Sequence, residues 1–208
     1  MKTRKNSYGY YTIVLSALLG RRLLYSNTER AFIVAQLQDL LSPRLLINTV
    51  PAHTQLASCV DLLAFSIRAD SVQLIVFAID RMACQYLAAE LASRLTNFRD
   101  EQHTLINTAQ EAPQITPYIS LQKLKGPHHA LQHSVTIHLQ HEDWEYDRYS
   151  SIGFYLHDRR GDWVRLWRLV KLYDNNSAYY RSLVYYRLEI PPTPMQPNQP
   201  SFAPLPRV

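Results

Sequence analysis

Two apolar runs, Cys59 to Ile67 and Ser71 to Ile79, are separated only by Arg68-Ala69-Asp70, and this spacing constrains the fold more than any other feature of the chain. Both runs are rich in β-branched, leucine and phenylalanine residues, which suit a pleated surface. A three-residue connection is too short for the crossover that parallel strands need, so the pair is predicted to be an antiparallel β-hairpin. The chain must therefore build a sheet and bury at least one face of it.

The flanking segments supply the covering elements. Tyr10-Tyr11-Thr12-Ile13-Val14-Leu15-Ser16-Ala17 reads as a first strand, and Gly20-Arg21-Arg22 as a turn. Ser26-Asn27-Thr28-Glu29 has the Ser-x-x-Glu form of a capping box, in which hydroxyl and carboxylate satisfy free amides at a helix start. The helix is expected to run to about Leu41 and to end at Ser42-Pro43; residues 42–56 are turn-rich. After the hairpin, Asp80 is a candidate N-cap for a helix whose apolar positions Cys84, Leu87, Ala88, Leu91, Leu95 and Phe98 step by three and four. A further strand near Ile115 to Leu121 completes the order β-α-β-β-α-β. That order predicts an α+β fold, a ferredoxin-like antiparallel sheet with two helices on one face. Such a topology hosts many functions and names none.

From Asp143 the composition changes. All three tryptophans and eight of the fourteen tyrosines lie between Asp143 and Tyr186, interleaved with Arg148, Arg159, Arg160, Arg165, Arg168, Lys171, Arg181 and Arg187. A helix is predicted to open at Asp162. Trp163, Leu166, Trp167, Val170 and Tyr173 would form its apolar face and Arg165, Arg168 and Lys171 the basic one. Arg159 and Arg160 precede it in a turn, where they serve either as a phosphate site beside a helix N-terminus or as a solvated turn with Asp162 as cap. After Glu189 the chain holds seven of its twelve prolines and has no core-forming pattern, so an extended or disordered tail is expected. The organisation is thus an α+β domain over 1–142, a helical basic and aromatic extension packed on it over 143–189, and a Pro-rich tail over 190–208.

The chain has 47% hydrophobic and 19% charged residues and only five glycines, which fits one globular domain. Net charge is +5 and the sequence pI about 9.2, compatible with a polyanionic partner. Cys59 and Cys84 lie in apolar stretches without CxxC spacing and read as buried thiols in a reducing compartment. The basic N-terminus lacks a clear cleavage site, and no apolar stretch is long enough to span a membrane, so a cytoplasmic location is expected. Six of the eight histidines lie between His128 and His157; His129 and His133 share a helix face, but no carboxylate or cysteine sits at matching distance, so they read as surface or capping residues. Nucleophile-elbow and nucleotide-phosphate motifs are absent.

The run Ala64-Phe65-Ser66-Ile67-Arg68-Ala69-Asp70-Ser71-Val72-Gln73-Leu74-Ile75-Val76 resembles the "A-Y-V-x-M-P-N-H-V-H-L-L-V" hairpin of the REP-associated tyrosine transposases, in the HUH single-tyrosine class. Tyr11-Thr12-Ile13-Val14 followed by Arg21-Arg22-Leu23-Leu24-Tyr25 is similar to the family's opening strand and "R-x-x-L-F" segment. Thr136-Ile137-His138-Leu139 resembles its "Y-I-H-L-N-P" helix end, and Glu142 to Ser151 its "P-E-D-W-x-W-S-S-Y" segment. Ser71 and Gln73 fall where the family has its two histidines. Histidines at i and i+2 on a strand share one face and can hold one divalent ion, which polarises a phosphate for attack by a tyrosine hydroxyl. Serine and glutamine offer only weak neutral oxygens. The "N-P-V-R-A-G" loop is missing, and Tyr118, the one tyrosine between Asn107 and Pro127, is a weak candidate for the nucleophile.

The resemblance therefore implies an HUH-transposase-like fold with degenerate positions Ser71 and Gln73, no resident cofactor, and no cutting of DNA. It implies a hairpin of single-stranded DNA or structured RNA as partner, in a regulator or a subunit of a nucleoprotein complex. Arg21, Arg22, Arg148, Tyr149, Arg159, Arg160, Arg165, Arg168 and Lys171 are the candidate binding residues. A homodimer or a protein partner in the complex is compatible with it; a membrane is not. Two alternatives stand beside this reading. One is an active transposase that recruits Mg²⁺ or Mn²⁺ elsewhere, through His53 or His103; the other is a protein-interaction module using the aromatic C-terminal half.

Overall fold

A computed structural model describes residues 8–17, 21–42, 56–106, 117–140, 143–157, 159, 161–173 and 177–187. The turn-rich segment, Arg160, His53 and the Pro-rich tail lie outside the described residues, as does the side chain of His103.

The hairpin forms as its spacing predicts, from β2 (Val60–Ile67) and β3 (Ser71–Ala78); one helical turn, α2 (Leu56–Cys59), takes up Cys59. β1 (Gly9–Ser16) pairs antiparallel with β3 along its whole length, from Gly9 opposite Ala78 to Ser16 opposite Ser71. Its other edge pairs antiparallel with β4 (Tyr118–Lys123), giving the four-stranded order β2-β3-β1-β4. β4 begins later than the expected Ile115, at a strand whose largely exposed, polar residues carry little apolar signal.

Both helices of the expected α+β layer are present. α1 (Asn27–Leu41) starts at a complete capping box: the Glu29 amide donates to Ser26 Oγ at 3.1 Å, and the Ser26 amide donates to Glu29 Oε2 at 3.3 Å. α3 (Arg81–Ile106) starts where the Ala83 amide donates to Asp80 Oδ1 at 2.8 Å. Their buried residues, among them Ile33, Leu37, Cys84, Leu87, Leu91 and Leu95, join Tyr11, Ile13, Leu15, Leu74 and Val76 in one core. Burial, then the Asp80 carboxylate, pushes the Cys84 thiol up to about 12, which keeps it protonated and inert.

α1 and α3 lie on one face of the sheet, as the sequence predicts. The opposite face carries a second core, formed by Leu63, Ala64 and Ile75 of the sheet with α4 (Pro127–His138), α5 (Ile152–Leu156), α6 (Trp167–Val170) and α7 (Ser177–Arg187). β2 serves both cores through a bulge. Leu62 pairs with Val76 but Ala64 with Ile75, so Leu63 is an extra residue that lets Leu62 and Phe65 face one core and Leu63 and Ala64 the other.

The outer edge of β2 is closed by the C-terminal third. The Ile67 amide donates to the Tyr149 carbonyl and the Ser151 amide to the Phe65 carbonyl, each at 2.9 Å; lower down the Arg165 amide donates to the Leu62 carbonyl at 2.6 Å. Between them the Phe65 amide donates to Ser151 Oγ at 2.8 Å, and His138 sits buried with Nε2 2.7 Å from Ser151 Oγ and Nδ1 2.6 Å from the Tyr180 hydroxyl. One assignment satisfies every donor: Tyr180 donates to Nδ1, Nε2–H to Ser151 Oγ, and Ser151 to the Phe65 carbonyl at 3.3 Å. Tyr155 stacks on Tyr180 with centroids 4.1 Å apart and donates to the Leu63 carbonyl at 2.8 Å. This polar hub ties α4, α5 and α7 to the bulge.

Burial depresses His138 from 6.5 to about 3, so the folded protein keeps it neutral. A histidine with a folded pKa below its unfolded one contributes stability that is complete above pH 6.5 and is lost as the pH falls toward 3, because only the unfolded chain takes up the proton. Between pH 6.5 and 5 this one group is expected to remove about 2 kcal/mol of unfolding free energy. Urea unfolding across that range, in wild type and His138→Gln, checks it: the variant should lose that part of the pH slope.

Candidate nucleic-acid interface

Period-two alternation along β3 places Ser71 and Gln73 on the face that also carries Ile75 and Phe77. Their polar atoms are engaged with neighbours. Ser71, only 7% exposed, donates to Asp70 Oδ1 at 3.1 Å. The Gln73 amide nitrogen donates to Gln140 Oε1 at 2.8 Å and lies 3.4 Å from Ser71 Oγ, while Arg68 reaches the same Gln140 oxygen at 3.3 Å and Asp70 at 3.4 Å. A neutral amide and a hydroxyl held in such a net present no pair of imidazole-like donors. Among the described residues no group of three His, Cys, Asp or Glu side chains is placed to hold a metal ion.

Tyr118 opens β4 opposite Ser16, and Ser16 stands opposite Ser71, so the three share one row and one face. Two strand spacings separate Tyr118 from Ser71, roughly 10 Å. The tyrosine is 57% exposed, and its hydroxyl has no hydrogen-bond partner among the described residues.

The basic candidates divide into two groups at opposite ends of β2. At the hairpin-turn end, exposed Arg21 and Arg22 precede buried Leu23 and Leu24, and the Leu24 amide donates to the Ala69 carbonyl at 2.8 Å. Tyr149, anchored there by its carbonyl on Ile67 and its hydroxyl on the Asn27 carbonyl at 3.3 Å, carries two guanidiniums near its ring: Arg148 at 4.9 Å and Arg30 at 5.3 Å from the centroid. Arg159 lies over Phe154 at 5.0 Å and reaches the Arg148 carbonyl at 3.4 Å. Among the described residues, Arg21, Arg22, Arg30, Arg148 and Arg159 form no ion pair with a carboxylate. Arg30 has no local sequence signal as a site residue; it arrives from α1 only because Tyr149 docks on that helix start.

The other group departs from the sequence expectation. No helix opens at Asp162: Asp162 and Trp163 lie in a turn, Val164 bridges Leu62, and α6 begins only at Trp167, with Lys171–Tyr173 continuing as a 3-10 turn. The backbone groups on the edge of β2 demand partners, and that tertiary pairing overrides the helical spacing of the tryptophans. Trp163 is buried, with its centroid 5.4 Å from Phe65 and 5.5 Å from Phe154, whereas Trp167 is 44% exposed. Arg165 and Arg168 do not form a free basic face. Arg168 donates to Asp61 Oδ2 and lies between Phe77 at 4.1 Å and Trp167 at 4.5 Å; Arg165 sits 3.9 Å from the other Asp61 oxygen. Lys171 stands over Trp167 at 4.7 Å.

Compared with family models and with curated proteins, the chain matches none. No helix among the described residues is long and apolar enough to cross a membrane.

Asp61 thus holds α6 to the sheet. Asp61→Ala leaves two partly buried guanidiniums without their carboxylate and is expected to cost about 1.5–3 kcal/mol, whereas Arg165→Gln, at the longer distance, should cost well under half of that. Urea midpoints of the two variants check the order.

Proposed function

We propose that the protein binds structured nucleic acid, a DNA or RNA hairpin, on a ferredoxin-like domain derived from a REP-associated tyrosine transposase, and that it does not cut its ligand. The observation that carries this reading is the gathering, at the sheet end that holds Ser71 and Gln73, of five arginines that have no carboxylate partner among the described residues: Arg21, Arg22, Arg30, Arg148 and Arg159. Guanidiniums not neutralised within the protein are available to displace counterions from phosphates, the main source of affinity for a polyanion.

The order strand, helix, strand, strand, helix, strand with the arrangement β2-β3-β1-β4 supports the ferredoxin-like part of the reading. The hydrogen-bonded Ser71–Gln73–Gln140 net supports the non-cutting part, since no donor there is suited to a catalytic ion. A role as regulator or as subunit of a nucleoprotein complex follows from binding without cleavage.

One observation favours the active alternative: Tyr118, exposed, shares its row and face with Ser71. Incubation of a labelled single-stranded hairpin with the protein and Mg²⁺ or Mn²⁺ separates the two. No covalent product is expected; a 5′-phosphotyrosine adduct that disappears in Tyr118→Phe would overturn the non-cutting reading.

Binding should depend on the hairpin-turn end. Replacing Arg148 and Arg159 together by glutamine is expected to make the slope of log K against log salt shallower by up to about two units, roughly one for each phosphate no longer neutralised, whereas Arg165→Gln should leave the slope unchanged. Salt titrations on one hairpin check this. The opposite pattern would move the interface to the Asp61 end, and tight binding of a protein partner with no affinity for either nucleic acid would replace the reading altogether.

A further inference from the structure

An exposed aromatic pair adjoins the arginines that have no carboxylate partner among the described residues. Tyr146 closes the 3-10 turn Trp144–Tyr146, is 78% exposed, and lies nearly parallel to His157, with centroids 5.1 Å apart and planes 13° from one another. His157 is fixed in turn: its Nε2 donates to the Glu145 carbonyl at 3.0 Å, and its amide to the Gly153 carbonyl at 3.0 Å. Tyr146 is tied down by its amide on the Asp143 carbonyl at 3.2 Å. A tyrosine so exposed contributes little buried area to the fold, yet its ring plane is set by a restrained neighbour, and among the described residues no other ring stacks on it.

The same short stretch carries the charges. Arg148 follows Tyr146 by two residues and Arg159 follows His157 by two; Arg159 bonds the Arg148 carbonyl, and the Arg30 guanidinium stands across Tyr149 from α1. Asp147 lies between Tyr146 and Arg148 in sequence, and its Oδ1 accepts from the Tyr149 amide at 2.9 Å. An exposed aromatic plane beside cations with no carboxylate partner among the described residues suits a strand whose bases are unpaired: every base has a π-face to stack, and every nucleotide a phosphate to meet an arginine. A blunt duplex offers the phosphates but keeps its bases in the helix.

We propose that Tyr146, backed by His157, is a base-stacking platform for an unpaired stretch of the nucleic-acid ligand, with Arg30, Arg148 and Arg159 holding its phosphates. This rests on the nucleic-acid reading above and adds to it which part of the ligand is gripped and where. The ring acts without charge, so its contribution is separable from that of the arginines.

The test compares wild type, Tyr146→Ala and Tyr146→Phe on three labelled probes: a DNA hairpin with a single-stranded extension, an RNA hairpin of the same sequence, and a blunt DNA duplex. Tyr146→Ala should weaken binding of the extended hairpins about 5- to 150-fold, the range for removal of one base stack. It should leave the duplex and the salt slope unchanged, and Tyr146→Phe should bind as wild type. The relative loss on DNA and RNA identifies which strand the platform prefers. Thermal unfolding of Tyr146→Ala matching wild type excludes a folding defect. Equal affinity of Tyr146→Ala and wild type for the extended hairpins, or an equal loss on the duplex, would overturn the platform while leaving the nucleic-acid reading in place. Wild type that binds none of the probes would overturn both.

Discussion

The outer edge of β2 is the element on which the rest depends. An edge strand presents a row of amides and carbonyls that must find partners, and here residues 149–151 and 164–165 supply them from the C-terminal third of the chain. Once Tyr149 and Ser151 are hydrogen-bonded to Ile67 and Phe65, α5 is placed over the sheet, and His138 and Tyr180 can reach Ser151 from α4 and α7. The same docking sets Tyr149 against α1 and thereby brings Arg30 beside Arg148. Architecture and surface charge thus follow from one strand's need for partners.

Elements specified by neighbours in sequence were legible from it. The hairpin followed from the length of its connection, α1 from the Ser26–Glu29 box, α3 from Asp80 and the three-and-four spacing from Cys84 to Leu95, and β1 from its run of aromatic and β-branched residues. What was not legible was set by partners distant in the chain. Trp163 and Trp167 have the spacing of one helix face, but a hydrogen bond to Leu62 holds the intervening backbone extended, so one ring enters the core and the other stays at the surface. β4 was blurred because an exposed edge needs no apolar alternation.

The candidate site shows the same division. Arginine types could be counted in the sequence, but their availability could not, because availability depends on where carboxylates fall. Asp61, far from Arg165 and Arg168 in sequence, offsets both of them, whereas no described carboxylate does so for Arg148 or Arg159. Arg30 and the Tyr146–His157 stack gave no local signal, since each acquires its neighbours only after the C-terminal third docks.

The extra residue at Leu63 couples the two cores to a single count. Below it, β2 turns Leu62 toward α1 and α3; above it, Phe65 points the same way although three positions separate them. Were the bulge flattened, with Leu63 taken into the regular ladder, the two halves of the strand could not both keep their facing. If the Val60 end held its register, Phe65 and Ile67 would trade places with Ala64 and Ser66, driving a hydroxyl among leucines and two large side chains toward the helices of the other layer. The strand behaves as two short messages read in opposite phase, with Leu63 as the punctuation between them.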